Sequence, residues 1–248
     1  MKAMNCRLAP LVRHIFPFMT HSETKRGLGT IKVEQFDPKV ILSKENKKIC
    51  TEKLKLFNLS QKLDQSKNEA AVLVPLCLHN GQLGFLYTLR STKMTKNRGQ
   101  VSFPGGMRDK DDVDLKETAL RETWEELKIP KEKVDVWTTC NIIGRNEVNI
   151  MPVLGYIGEI NLDTIKINPY EVEQVFVLPL PSLCDPSTFR FTQFRTGYTL
   201  PVYLSGDYRI WGLTAVITHM ILTAMIPDFY KNKISYMKPI LKRSKTSN

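Results

Sequence analysis

The stretch from Gly105 to Ile129 constrains this chain more than any other part of it. Leu115, Ala119, Leu120, Thr123, Trp124 and Leu127 recur at three- and four-residue intervals, which predicts an amphipathic helix over residues 114–128. Pro130 lies just beyond and stops it. Glu122, Glu125 and Glu126 stand at i, i+3 and i+4, so their carboxylates share one face of that helix. An apolar stripe opposite an acidic one needs a sheet to cover the first and a reason to keep the second.

The sheet is legible upstream. Residues 70–78 form an apolar run, His79-Asn80-Gly81 reads as a turn, and residues 84–90 read as a second strand, together a hairpin. A polar loop from Ser91 to Gln100 leads through Val101-Ser-Phe103 to Pro104-Gly105-Gly106. Residues 134–143, 150–157, 172–180 and 198–204 are strand-like, residues 213–225 form an apolar helix, and residues 44–67 carry one polar helix. Hairpins in place of repeated βαβ units indicate a mixed-sheet α/β (α+β) sandwich, not a doubly wound fold.

Like charges at helical i, i+3 and i+4 spacing cost a few tenths of a kcal/mol each, a penalty that a bound cation reverses. Three hard oxygen ligands suit Mg²⁺ or Mn²⁺, ions that bridge to phosphate oxygens. A solvated acidic face is the ordinary outcome for a Glu-rich helix, but three features favour a ligand set. Arg121 can hold a carboxylate by a bidentate pair, the apolar face anchors the helix, and Gly105-Gly106 let backbone approach an ion or a phosphate closely.

Gly106, five residues, Asp112, eight residues, then Arg121-Glu122-x-x-Glu125-Glu126 resembles the Nudix box, G-x5-E-x7-R-E-U-x-E-E-x-G-U. One residue more precedes the arginine, and Leu127-Lys128-Ile129 lacks the usual second glycine, at an expected cost of about 1 kcal/mol in the helix cap. The Gly-Gly-x-x-Asp109-x-x-Asp112 form is similar to the coenzyme A diphosphatase branch of that family. So are Leu86-Tyr-Thr-Leu-Arg90-Ser91, Gly99 and Phe103-Pro-Gly-Gly upstream, although Thr95 stands where the branch often has a basic residue. The resemblance runs from about Ala70 to Met225.

The resemblance implies a Nudix-type α/β/α sandwich and metal-dependent hydrolysis of the pyrophosphate bond of coenzyme A or acyl-CoA, giving 3′,5′-ADP and (acyl-)4′-phosphopantetheine. It makes Glu125 and Glu126 direct ligands of the ion and Glu122 a further ligand or the base for the attacking water. Arg121 orients them, and a carbonyl of Gly105 or Gly106 completes the shell. Glu171 is a fourth candidate, with a surface position in a turn as its ordinary alternative. The 3′-phosphate of coenzyme A calls for cations beyond the metal, and Arg90, Lys93, Lys96 and Arg98 lie just before the glycine loop. Two alternatives stay open: another nucleoside diphosphate derivative (ADP-ribose, an oxidised nucleotide, capped RNA), or a binding module of the same fold without catalysis.

Composition bounds the rest. With 248 residues and 42% hydrophobic content, the chain holds one sizeable domain, expected over residues 41–228, with an N-terminal helical extension. Residues 1–40 read as leader and linker, and residues 229–248 as a basic tail. The net charge of +11 sits largely on these ends. Residues 1–22 contain Lys2, Arg7 and Arg13 without an acid, a composition that fits a mitochondrial transit peptide, and the chain does not end in the peroxisomal Ser-Lys-Leu. The tail lacks the interleaved aromatics of a nucleic-acid surface, so a small-molecule partner is expected. No apolar run reaches the roughly 18 residues of a membrane span, and no feature specifies an oligomeric state. Five widely spaced cysteines without a CxxC argue against a disulfide scaffold or a zinc site. His79 and His219 are expected to be structural.

Overall fold

The computed structural model describes residues 36–57, 68–95, 97–145, 148–194 and 199–234. Most of the leader, most of the basic tail and Lys96 lie outside them. A mixed sheet forms the middle layer. β1 (Asn68–His79) pairs antiparallel with β2 (Gln82–Arg90) and β4 (Gly105–Met107), and parallel with β7 (Val148–Glu159). β2 also carries β3 (Val101–Ser102) and β8 (Val172–Pro179), while β7 carries β5 (Asp135–Thr139) and β6 (Ile143–Arg145). A separate two-stranded sheet joins β9 (Phe189–Gln193) to β10 (Thr199–Tyr203).

Alternation along the central strands sends side chains to two cores. Val74 and Leu76 of β1, Phe85 and Tyr87 of β2 and Leu154 of β7 face one core. It is closed by α2 (Lys44–Leu56) and α5 (Gly212–Met225), which follow the short α1 (Pro38–Ile41) and α4 (Leu180–Cys184) in the chain. Ala71, Leu73 and Cys77 of β1, Leu86 of β2 and Val153 of β7 face the other, which is closed by α3 (Leu115–Leu127). This is the mixed-sheet sandwich expected from the order of elements, in the α/β/α arrangement that the resemblance implies.

The β1–β2 turn needs two left-handed residues, and Asn80 and Gly81 supply them at φ 50° and 74°. That fixes the register His79↔Gln82 and thereby which residues of β2 face each core. The strand expected over residues 134–143 is divided between β5 and β6, the ladder to β7 breaking after the Cys140 N–H bond to the Pro152 carbonyl. The helix expected over 44–67 runs from Lys44 to Leu56, and residues 58–67 lie outside the described set. β9 has no apolar run to announce it and exists through its pairing with β10. Phe36 is buried and packs on Phe229 with ring centroids 5.3 Å apart, so residues beyond both expected domain boundaries contribute to the core. Among the described residues no helix is long and apolar enough to cross a membrane. His79 bonds the Ile160 carbonyl from the end of β1, and His219 is buried against Tyr230, its pKa lowered by burial to about 3.

α3 carries the functional face. Asp114 caps its first turn by accepting from the Glu117 N–H at 2.7 Å. Its buried stripe differs from expectation at three positions: Trp124 is 50% exposed, and Thr118 and Glu126 take buried positions. Trp124 instead lies under the Lys128 ammonium, 4.3 Å from its ring centroid. Lys128 closes the helix in the left-handed conformation, φ 53°, where the Cβ crowds the backbone and glycine is unstrained. Lys128→Gly is therefore expected to stabilise the fold by about 0.5–1 kcal/mol, the relieved strain exceeding the exposed cation–π contact. Urea unfolding at neutral pH measures this, and a lower midpoint in the variant would show that the lysine contacts outweigh the strain.

Candidate functional site

β4 brings the glycine pair beside α3. Gly106 pairs with Ala71 and Gly105 with Val72. A Cβ at Gly106 would run into the Glu122 carboxylate, and one at Gly105 into the Ala71 carbonyl and the Val72 backbone. Gly105 also holds φ 152°, outside the range that side-chain-bearing residues favour. Gly106 is thus the condition for helix and strand to approach so closely, and Gly105 for β4 to lie against β1.

Arg121 organises the helix face from the loop side. Its Nε and Nη2 donate to the two oxygens of Asp112 at 2.9 and 3.0 Å, a bidentate pair. The same guanidinium donates to Glu122 Oε1 at 3.1 Å, Glu125 Oε2 at 3.1 Å and the Met107 carbonyl at 3.0 Å. Asp112 also accepts from the Asp109 N–H and the Thr118 hydroxyl, both at 2.9 Å. Despite the additional residue between them, Asp112 reaches Arg121 fully. These bonds hold the Asp112 carboxyl far below the usual carboxylate range, the Arg121 hydrogen bonds being the largest cause.

The carboxylates divide into two groups. Glu122 and Glu126, one helical turn apart, converge with Glu171 so that one oxygen of each lies within 4.8 Å of the others. Glu125, 41% exposed at its side chain, lies instead against Arg121, its i−4 neighbour. Glu171 arrives from the turn before β8. Asn168 anchors that turn: its backbone N–H donates to the Glu126 carbonyl at 2.8 Å, and its side chain donates to Glu171 Oε1 at 3.1 Å. No local sequence signal sets this position beyond an Asn-Pro turn three residues before a glutamate.

Glu126 is buried, and burial pushes its pKa up to about 8, with Arg90 opposing and Glu171 and Glu122 adding to the rise. The Gly105 N–H donates to it, and Arg90 Nη1 stands 3.9 Å from Oε1. Its Oε2 is buried and has no hydrogen-bond donor. Glu122 is raised too, first by burial. Three converging carboxylates, one of them buried with an oxygen that lacks a donor, form a site that is electrostatically unfavourable unless a cation enters. The donor set thus fits a hard divalent ion. Of the cations expected before the glycine loop, Arg90 reaches the cluster, while Lys93 and Arg98 are exposed on the surface loop.

An α/β/α sandwich that presents a carboxylate cluster beside a glycine strand has the build of a divalent-metal hydrolase. A NUDIX domain model matches residues 67–195, and the chain belongs to the Nudix hydrolase family, whose members use divalent metal ions. It is 41% identical over 200 residues to the mitochondrial coenzyme A diphosphatase of Mus musculus, covering 78% of this chain and 94% of that protein. It is 42% identical over 172 residues to the mitochondrial coenzyme A diphosphatase of Homo sapiens, covering 67% and 73%. The peroxisomal coenzyme A diphosphatase of Mus musculus is 32% identical over 177 residues, covering 66% and 74%.

Asp112→Ala removes the bidentate partner of Arg121, leaving it Glu122, Glu125 and the Met107 carbonyl, and should destabilise the protein by about 1–3 kcal/mol at pH 7. Because the folded pKa of Asp112 is depressed, its contribution is present above the unfolded value near about 3.9 and is lost as pH falls through the folded one. The stability gap between wild type and Asp112→Asn should accordingly shrink as the pH of urea unfolding is taken from 6 towards 3. A gap that stays constant over that range would remove Asp112 from the acid response.

Proposed function

We propose that this protein hydrolyses the pyrophosphate bond of coenzyme A and acyl-CoA with Mg²⁺ or Mn²⁺, releasing 3′,5′-ADP and 4′-phosphopantetheine or its acyl derivative. The single observation that carries the reading is the convergence of Glu122, Glu126 and Glu171, of which Glu126 is buried with one oxygen left without a hydrogen-bond donor. The substrate rests on the relatives, which are named coenzyme A diphosphatases and share up to 42% identity with this chain.

Glu122, Glu126 and Glu171 would hold the ion, with Glu125 as a further ligand where a second position is filled. When bound, the cation polarises the diphosphate and lowers the pKa of water, so that hydroxide is available near neutral pH. The chain supplies positioning and proton transfer. Arg121 fixes the helix face, and the close approach at Gly105 and Gly106 leaves room for phosphate oxygens beside backbone. Glu122, half-buried between Arg121 and Gly106, takes the proton of the attacking water. The water oxygen then bonds to phosphorus, the bridging P–O bond breaks, and the leaving phosphate carries away its electron pair. Arg90 balances the charge of Glu126 and faces the departing or bound phosphates. Residues 41–228 would work as one hydrolase domain, with the basic residues 229–248 outside the reaction.

With coenzyme A and Mg²⁺ or Mn²⁺, mass spectrometry is expected to find 3′,5′-ADP and 4′-phosphopantetheine, and a chelator should abolish their formation. Glu126→Gln should lower kcat by more than about 100-fold, beyond what the loss of an outer-shell partner does to a metal site. Equal turnover of ADP-ribose or 8-oxo-dGTP would retire the substrate assignment, and unchanged turnover in the glutamine variant would retire the ligand assignment.

The location we infer is mitochondrial, supported by the names of two relatives and by the acid-free basic residues 1–22. A fluorescent protein fused to residues 1–30 should enter mitochondria, and a diffuse cytosolic signal would contradict the assignment.

A further inference from the structure

Tyr170 is 73% exposed and stands immediately before Glu171 of the carboxylate cluster. Isolated surface aromatics are common and need no explanation, but the backbone around this one is unusually well fastened. Its own N–H is held by the Asn168 side chain at 3.2 Å, and the Glu171 and Val172 N–H groups both return to the Asn168 carbonyl. The turn is tied to α3 through Asn168 and Glu126 and to the facing loop through Ser91. The Ser91 N–H donates to the Glu171 carbonyl at 2.8 Å, and its hydroxyl donates to the Pro169 carbonyl at 3.4 Å.

The facing loop adds a cation. Ser91 Oγ accepts from the Lys93 N–H at 3.3 Å, and Glu173 holds the Thr92 N–H, which fixes the loop that carries Lys93. The Lys93 ammonium lies over the Tyr170 ring, 5.4 Å from its centroid, and among the described residues no carboxylate pairs with it. A rigid, solvent-facing π surface thus stands one residue along the chain from Glu171, with an unneutralised ammonium from the facing loop over it. A base stacks on such a surface whatever its identity, and the ammonium is a point charge suited to a phosphate monoester.

We propose that Tyr170 and Lys93 clamp the nucleoside end of the substrate, the purine stacking on the free face of the phenol and the ammonium binding the phosphate on the ribose. This deepens the diphosphatase reading and rests on it for the identity of the ligand. The clamp makes Tyr170 a binding residue for the base of a nucleoside-bearing substrate and Lys93 a specificity-determining one for the additional phosphate.

The test uses the full chain and titration calorimetry with 3′,5′-ADP and 5′-AMP, beside steady-state kinetics with coenzyme A and its 3′-dephospho form. Tyr170→Ala is expected to weaken both nucleotides by about 10- to 100-fold, as loss of an aromatic stacking partner does, and to raise KM more than it lowers kcat. Tyr170→Phe keeps the ring and should bind within about twofold of wild type if stacking is the interaction. Lys93→Gln should weaken 3′,5′-ADP and raise KM for coenzyme A, while leaving 5′-AMP and the 3′-dephospho substrate unaffected. Tyr170→Ala that binds as wild type does, or wild type that binds neither nucleotide, overturns the clamp. Equal weakening of both nucleotides by Lys93→Gln overturns the phosphate assignment. Nucleotide binding that depends on Tyr170 in a protein that does not cleave coenzyme A would retire the proposed reaction and leave the clamp standing. Coenzyme A cleavage with an unchanged KM in Tyr170→Ala would do the reverse.

Discussion

Everything in this molecule that bears on chemistry depends on how closely β4 can lie against α3. Gly106 sets that distance, since any side chain there would occupy the space of the Glu122 carboxylate, while Gly105 lets β4 lie against β1. The approach lets the Gly105 N–H reach Glu126 and keeps Glu122 between strand and guanidinium. Once helix and strand are in contact, the acidic face cannot stay solvated, and its carboxylates lose hydration that only a cation or a proton can replace.

The charge balance around α3 is uneven in a way that suits that purpose. On the loop side Arg121 pairs with Asp112 through both carboxylate oxygens and also reaches Glu122 and Glu125, which fixes the helix in orientation. On the inner side Arg90 approaches Glu126 only to 3.9 Å and leaves Oε2 without a donor. A fully satisfied network anchors the element, and an unsatisfied one beside it is where a ligand gains most. The sheet carries this asymmetry because β2 ends in Arg90 and β8 begins just after Glu171, so the tips of paired strands deliver a cation and an acid to the same helix.

Much of this was legible in the sequence where the signal is local. The period of α3, the apolar alternation of β1 and β2, the Asn-Gly turn and the glycine pair all follow from neighbours within a few positions of one another. The helix cap was legible as a problem: Lys128 stands where glycine is usual, and it takes the left-handed conformation regardless. Trp124 was misplaced by the same reasoning, because periodicity assigns a face to a residue but not how far the sheet extends beneath it. β9 was missed since its side chains are largely exposed and its pairing partner alone makes it a strand.

What the sequence determined by itself was the ligand chemistry: which helix carries acids, which strand carries no side chains, and which arginine can orient them. It could not choose among the carboxylates, because Glu122, Glu125 and Glu126 are equivalent by spacing and Glu171 lies 45 residues beyond the last of them in the chain. Tertiary structure divides them into two groups. The Asn168 turn docks on the end of α3 and carries Glu171 to Glu122 and Glu126, while Arg121 draws Glu125 to the other side. The physical reason is that a helix fixes only the relative directions of its side chains, and the direction that becomes a site is set by what packs against it.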